Sequence, residues 1–101
     1  MEVRFTWDQA KADRNKRKHG VSFEQAQEIF EDPNHVVIEN YRLVREHEQR
    51  YQAIGLSQGT PLLVVIFVDR SESDEEIVIR LISARKANQY ETFLYENGAA
   101  I

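Results

Sequence analysis

Hydrophobic residues are sparse from residue 8 to residue 20, and the capping signals at both ends of this polar stretch predict a first helix from Gln9 to about Lys18. Asp8 is suited to cap its N-terminus, and Gly20 can adopt the left-handed conformation that ends a helix. Only two alanines in this segment are apolar. Most of the first helix is therefore expected to face solvent.

A second helix is predicted to begin directly after Ser22, which can act as its N-cap, with Gln25 closing a capping box. Its apolar side is formed by Phe23, Ala26, Ile29 and Phe30. Asp32 ends this helix, since a residue before proline avoids helical backbone angles. The two helices are expected to form a helical hairpin or corner.

From residue 35 onward the spacing changes to that of strands, which are predicted at 36–39, 41–44, 48–56, 62–68 and 76–83. The segment Leu62–Val68 is apolar at every position, as expected for a strand buried on both sides in the centre of a sheet. A helix is predicted to start at Ala84 and to run towards Tyr95. The fold class is therefore α+β: two N-terminal helices, an antiparallel meander of three to four strands and one C-terminal helix, with all helices against one side of the sheet.

A chain of 101 residues with 42% hydrophobic and 30% charged residues is expected to form a single domain, spanning residues 1–101. Cysteine is absent, which excludes disulfides and thiolate metal sites. The N-terminus lacks the apolar segment of a signal peptide, and the longest apolar run is too short to cross a bilayer. We therefore expect a soluble, cytoplasmic protein with no membrane partner.

The formal net charge of −4 argues against a nucleic-acid-binding protein when the chain is taken as a whole, but the charges are unevenly distributed. Positive side chains crowd one short stretch, along and just after the first helix: Lys11, Arg14, Lys16, Arg17, Lys18 and His19. One or two cations suffice to complement a helix dipole, and this cluster holds more. A basic patch on an acidic protein can still attract a polyanion.

Arg80 interrupts an apolar side of the last predicted strand, and Arg85 follows at the predicted start of the next helix. A charge in such a place needs a partner. The two arginines could hold a phosphate at this junction. They could equally form ion pairs with nearby carboxylates. Glu48 and Arg50 share one side of an earlier strand, and Arg80 could reach the same surface of the sheet.

These residue types are those required to cleave RNA without a metal ion. A base removes the proton of a 2′-hydroxyl, an acid protonates the leaving oxygen, and arginines stabilise the charge that develops on the phosphoryl group. Glu48 or His19 could be the base, and His19 or Lys18 the acid. The stabilising cations could be Arg50, Arg80 and Arg85. The alternative is a structural ladder of ion pairs across the strands.

Two separated motifs of this sequence resemble the BrnT family, the toxins of type II toxin–antitoxin pairs. The first comprises Phe5-Thr6-Trp7-Asp8, Lys11, Asn15, Lys18-His19-Gly20-Val21-Ser22-Phe23-Glu24, Ala26, Phe30 and Asp32-Pro33. The second comprises Glu48-x-Arg50-Tyr51-x-Ala53-Ile54-Gly55, Ile79-Arg80-x-Ile82-Ser83-Ala84-Arg85-Lys86-Ala87, Glu91 and Tyr95.

The resemblance implies a RelE-like microbial ribonuclease fold, RNA cleavage that blocks translation, and no metal or other cofactor. It also implies a BrnA-type ribbon-helix-helix antitoxin, which neutralises the toxin and carries the complex to operator DNA. The catalytic residues expected are His19, Glu48, Arg50, Arg80 and Arg85. The RNA-binding residues expected are Lys11, Arg14, Lys18 and Lys86.

Two other classes of function compete with a ribonuclease. The chain could be a non-catalytic toxin-fold module that binds an antitoxin and shapes a DNA-binding repressor, which its net acidity favours. It could also be a plain structural domain whose charged residues form surface ion pairs. The polar residues expected on one side of the sheet favour the enzyme over the structural domain.

Overall fold

The computed structural model describes residues 2–39, 48–58 and 62–98. Its helices are α1 (Gln9–His19), α2 (Phe23–Gln27) and α3 (Gln89–Glu96), with a short 3₁₀ helix at Glu28–Glu31. Its strands are β1 (Glu2–Thr6), β2 (Val36–Glu39), β3 (Tyr51–Leu56), β4 (Leu62–Asp69) and β5 (Glu76–Lys86). The strand predicted at 41–44 lies outside the described residues.

The five strands form one mixed sheet in the order β1-β5-β4-β3-β2. The β2, β3, β4 and β5 strands pair antiparallel in sequence, which confirms the predicted meander, and β4 is central as predicted. A purely antiparallel sheet was wrong, because β1 pairs in parallel with β5. This pairing joins segments more than 70 residues apart, from Glu2 beside Glu76 to Thr6 beside Arg80.

Helices cover both sides of the sheet, so the expectation of helices on one side only was wrong. On the first side, here the α1 face, Ala12 and Phe23 pack with Val65 and Leu81. On the opposite side, here the α3 face, Leu94 packs with Ile54 and Val64. Neighbouring strand residues alternate between these two faces.

The predicted ends of α1 are confirmed. The Asp8 carboxylate accepts hydrogen bonds from the backbone N–H groups of Ala10 and Lys11, and Gly20 has a φ of 72°. Ser22 caps α2 as predicted, with its Oγ accepting from Gln25 N at 3.0 Å. The second helix is shorter than predicted, because the chain tightens into the 3₁₀ helix after Gln27.

The segment 84–86 continues β5 and is not the start of a helix. Ala84 lies opposite Val65 of β4, and its N–H and C=O both bond the side chain of Asn15 from α1, at 3.1 and 2.8 Å. Because β1 has ended at Thr6, the Asn15 carboxamide takes the place of a neighbouring strand at this edge. Asn15 also donates to Val21 O at 2.9 Å and is buried. It thereby fixes the end of α1 against β5.

The C-terminal helix begins only at Gln89, after Asn88. Asn88 Oδ1 accepts from Glu91 N at 2.8 Å, and Glu91 Oε1 accepts from Asn88 N at 2.9 Å. These two bonds form a reciprocal capping box. The helix start is therefore set by local side-chain chemistry five residues beyond the predicted position.

Candidate functional site

A bulge in β5 places Arg80 and Arg85 on the same face of the sheet. Ser83 lies opposite Ile66, but the next partners are Leu81 and Phe67, so Ile82 is an extra residue in β5. Arg80 lies opposite Val68, and Arg85 lies opposite Val64. In an unbroken strand these two valines point to the same side, here the α3 face. Without the bulge, residues five apart would point to opposite sides.

The third predicted arginine, Arg50, directly precedes β3, and we infer that it lies on the same face. Gln52 lies opposite Ile66, and alternation continued two residues back from Gln52 places Arg50 on the α3 face. The Arg50 Nε is buried and has no hydrogen-bond partner among the residues that the structure describes. We refer to Arg50, Arg80 and Arg85 as the arginine set.

The arginine set divides into paired and unpaired members. Among the residues that the structure describes, neither Arg50 nor Arg80 forms an ion pair. Arg85 does, through Nη1 to Glu91 Oε1 at 2.7 Å and Nη2 to Glu91 Oε2 at 2.6 Å. The interpretation of a strand arginine as part of a structural ion pair therefore applies to Arg85. Within the described residues, it does not account for Arg50 or Arg80.

The Glu91 pair is electrostatically strong. Burial disfavours ionisation of Glu91, but hydrogen bonds from Arg85 and from Asn88 N outweigh this effect and lower its pKa. The same hydrogen bond to Glu91 raises the pKa of Arg85, against the effect of burial. Both groups are thus held in their charged forms at neutral pH.

Glu48 is held by Arg70, whose Nη2 forms an ion pair with Glu48 Oε2. Arg70 follows β4 directly and donates its backbone N–H to Val78 O at 2.8 Å. The Glu48 carboxylate is thus bound at the end of β4 by a residue outside the predicted set. Its role as a general base stays a prediction.

The predicted basic residues of α1 line a groove of about 370 Å³ at the edge of the sheet. Its walls are formed by Lys11, Arg14, Asn15, Lys18, His19, Ile82 and Ser83. We call it the α1 groove. The bulge of β5 thus forms one wall of the groove and also turns Arg85 onto the α3 face.

The structure therefore places the predicted residues in two separate groups. The arginine set lies on the α3 face, and the α1 groove contains Lys11, Arg14, Lys18 and His19. Lys86 stands apart from both, exposed at the end of β5 and opposite Leu63, whose side chain belongs to the α1 face.

Sequence reasoning assigned no role to three residues that organise these groups: Asn15, Gln52 and Glu91. Gln52 Nε2 donates to Glu91 Oε2 at 2.9 Å, which links β3 to α3. One of the three had a readable signal, since Asn88 followed three residues later by Glu91 is a capping-box spacing. The other two depend on contacts between distant segments.

A second polar contact fixes α3 to the rest of the protein. Tyr95 Oη donates to Asp32 Oδ2 at 2.7 Å, and the same carboxylate oxygen accepts from Leu56 N at 2.9 Å. The hydrogen bond to Asp32 raises the pKa of Tyr95 to about 12. Burial opposes ionisation of Asp32, but hydrogen bonds from Tyr95, Leu56 and Asn34 together lower its pKa.

These shifts predict how replacing Tyr95 with phenylalanine changes stability with pH. Tyr95→Phe should lower the free energy of unfolding by about 2 kcal/mol at neutral pH, because one hydrogen bond to a carboxylate is lost. A raised tyrosine pKa contributes stability that is complete below pH 10 and disappears between 10 and about 12. A lowered aspartate pKa contributes stability that disappears as the pH falls below 3.8.

Urea unfolding of both proteins across the pH range measures this difference. It should be constant at intermediate pH and shrink at both extremes. A difference that stayed constant above pH 10 would show that the Tyr95–Asp32 contact does not support the fold.

Among the described residues, no helix has the length and apolarity needed to cross a bilayer. The same part of the chain contains no group of three or more His, Asp or Glu side chains arranged to hold a metal ion.

Comparison with known proteins assigns this arrangement to a family. The model of the ribonuclease toxin BrnT of type II toxin–antitoxin systems matches residues 7–91, a range that includes the α1 groove and the arginine set. The chain belongs to the BrnT family. It is thus a member of a family of ribonuclease toxins from type II systems, in which an antitoxin is the partner.

The BrnT fold is also found by structural comparison. The crystal structure of the Brucella abortus ribonuclease toxin BrnT matches with a TM-score of 0.61 and 24% sequence identity. The match covers 88% of this chain and 100% of the Brucella chain. No curated protein matches this BrnT-family chain.

Proposed function

We propose that this chain is a metal-independent endoribonuclease of the mRNA interferase type, formed by one toxin domain across residues 1–101. It would act in the cytoplasm, where it would cleave RNA and block translation. Membership in the BrnT family supports the general activity. The details of the proposal rest on the arginine set and the α1 groove.

The observation that carries the proposal is the presence of Arg50 and Arg80 on the α3 face without an ion pair to any described residue. A guanidinium held in a protein without a carboxylate partner is suited to bind a phosphate, because its N–H groups match phosphate oxygens. Basic residues of the α1 groove lie beyond the bulge at the sheet edge. The proposal requires that a bound RNA strand pass over this edge of the sheet to contact both groups.

The proposed reaction needs no external reagent. A base, Glu48 or His19, takes the proton of a 2′-hydroxyl, and the 2′-oxygen attacks the adjacent phosphorus. The bond to the 5′-oxygen of the next nucleotide breaks, and an acid, His19 or Lys18, protonates that oxygen. The products are a 2′,3′-cyclic phosphate and a 5′-hydroxyl. The arginine set would stabilise the extra negative charge on the phosphoryl oxygens in the transition state.

The proposed partner is a BrnA-type ribbon-helix-helix antitoxin, through which alone the toxin would reach operator DNA. Such an antitoxin should present carboxylates to the arginine set, since complementary charges bring partners together. A structure of the complex in which Arg50, Arg80 and Arg85 all stayed exposed to solvent would contradict this proposal.

Purified protein incubated with a defined RNA in the presence of EDTA tests the reaction. We expect cleavage that continues in EDTA and fragments that end in a 2′,3′-cyclic phosphate. A matched RNA with a single 2′-deoxy nucleotide at the cleaved position should resist cutting there, because the nucleophile is missing. Loss of activity in EDTA, or cutting at the deoxy position, would refute the proposed chemistry.

The net charge of −4 favours a second candidate, a non-catalytic module that binds an antitoxin and shapes a repressor. Folded wild-type protein that bound an antitoxin but neither cut RNA nor arrested growth would establish this alternative.

A further inference from the structure

Glu91 is the only buried charged residue among those the structure describes, with 5% of its surface exposed. Its carboxylate is surrounded by donors from three segments of the chain. It accepts from Arg85 twice, from Asn88 N at 2.9 Å and from Gln52 Nε2 at 2.9 Å. A carboxylate with this many donors is fixed in position, since each bond limits its rotation.

The Arg85 guanidinium has five N–H groups, and three of them are occupied. One on Nη1 and one on Nη2 bond Glu91, and the second N–H of Nη1 bonds Lys86 O at 3.2 Å. The remaining two belong to Nε and Nη2, which lie along one edge of the planar group. They make no hydrogen bond with a described residue, and the Arg85 side chain is 42% exposed. This free edge has the geometry that binds two oxygens of one phosphate.

We propose that Glu91 is a positioning residue, which holds the Arg85 guanidinium so that its Nε–Nη2 edge faces the RNA phosphate. The inference rests on the proposed function, because it assigns Arg85 a phosphate to bind. Gln52 assists by fixing the carboxylate oxygen that also bonds Arg85 Nη2.

A phosphate is not expected to displace Glu91 from Arg85. Displacement would leave the buried carboxylate without its cation, and losing the partner of a buried charge is costly. The phosphate binds at the edge that Glu91 leaves free, and both anions share one guanidinium.

Glu91→Gln separates the positioning of Arg85 from the charge of Arg85. The amide keeps the size of the side chain and an oxygen that can accept from Asn88 N, so the capping box can persist. Its NH₂ group, however, is a donor and would face two other donors, Arg85 Nη2 and Gln52 Nε2, which it cannot bond. We expect kcat to fall on the order of tenfold or more, because a misplaced group loses much of its effect in the transition state. RNA affinity should not fall, since Arg85 keeps its charge and one negative charge beside it is removed.

Glu96→Gln, an exposed change in the same helix, is the matched control and should leave the kinetics unaltered. Arg85→Lys keeps the charge but not the planar fork, and should lower kcat as Glu91→Gln does. If Glu91→Gln does not fold, Gln52→Met removes one of the four bonds and should give a smaller fall in kcat. Thermal unfolding of each variant accompanies the kinetics.

Three outcomes would overturn the inference. One is a Glu91→Gln protein that melts earlier but turns over at the wild-type rate, which would indicate a structural role alone. Another is tighter RNA binding with faster cleavage, which would mean that Glu91 competes with RNA for Arg85. The third is a kcat in Gln52→Met equal to wild type when Glu91→Gln does not fold.

An NMR measurement separates failure of this inference from failure of the proposed function. The Arg85 Nη groups should rotate slowly in the wild type and rapidly in Glu91→Gln. If the wild type cuts no RNA, the proposed function fails, while the rotation still reports whether Glu91 fixes Arg85. Rapid rotation in the wild type would refute the positioning role.

Discussion

Replacing Arg80 with alanine should lower the rate of RNA cleavage about 100-fold to 1,000-fold while the protein stays folded. This corresponds to about 3 kcal/mol of lost transition-state stabilisation, as for removal of one donor to a developing oxyanion. Arg80 makes no ion pair with a described residue, so its removal leaves no buried carboxylate unpaired. Single-turnover kinetics on a defined RNA, together with circular dichroism and thermal unfolding, measure both effects.

Arg4→Ala is the matched control for this experiment. Arg4 is also a strand arginine, and it lies one strand away, paired with exposed Glu76 at 3.5 Å. Its loss should change neither the cleavage rate nor the stability substantially, because exposed ion pairs contribute little. Equal cleavage by wild type and a folded Arg80→Ala protein would remove Arg80 from the active site.

The second large effect is expected from the α1 groove. Replacing Lys11, Arg14 and Lys18 together with alanine should weaken RNA binding strongly at low salt and much less at high salt. If each residue contacts one phosphate, the slope of log affinity against log salt concentration should become shallower by about 2, at roughly 0.7 per phosphate for a single strand. Fluorescence anisotropy over a series of salt concentrations measures the slope.

Lys16 and Arg17 provide the control, because they are exposed on the same helix but do not line the groove. The Lys16→Ala/Arg17→Ala double variant removes neighbouring charges of the same sign. Its salt slope should stay close to that of the wild type. An equal change of slope in both variants would mean that RNA is attracted by the overall charge of α1 and not bound in the groove.

Local chemistry was enough to predict α1 and the centre of the sheet. Asp8 and Gly20 have side-chain and backbone properties that set helix ends, and both act as predicted. The apolar segment Leu62–Val68 specified the central strand, because few other positions can bury both faces of a strand. These features depend on residues close together in the sequence.

The sequence did not reveal how Arg80 and Arg85 come to face the same way. The predicted helix at Ala84 was wrong, because β5 continues to pair with β4 beyond this residue. A bulge at Ile82, an apolar residue with no distinguishing signal, reverses the alternation of the strand. Asn15 stabilises this extension from a distant helix. The parallel pairing of β1 was missed for a similar reason, since no local pattern specifies a partner more than 70 residues away.

The sequence suggested the candidate residues, whose roles stay predictions, but not their partners. Arg80 and Arg85 lie on one face of the sheet, as the hypothesis requires. Glu48 bonds Arg70 instead of a member of the arginine set, and Arg85 bonds Glu91. Arg85→Ala would leave the buried Glu91 carboxylate unpaired, a change that can cost about 3–5 kcal/mol. Arg85→Lys is therefore the cleaner probe of the site.

Induced expression in a bacterium tests the central claim, that the arginine set is the centre of a toxic ribonuclease, most directly. The wild type and the Arg4→Ala control should arrest growth and fragment cellular RNA, whereas an Arg80→Gln/Arg85→Lys double variant that accumulates as folded protein should do neither. Arrest and RNA fragmentation by the folded double variant, equal to that of the wild type, would contradict the claim.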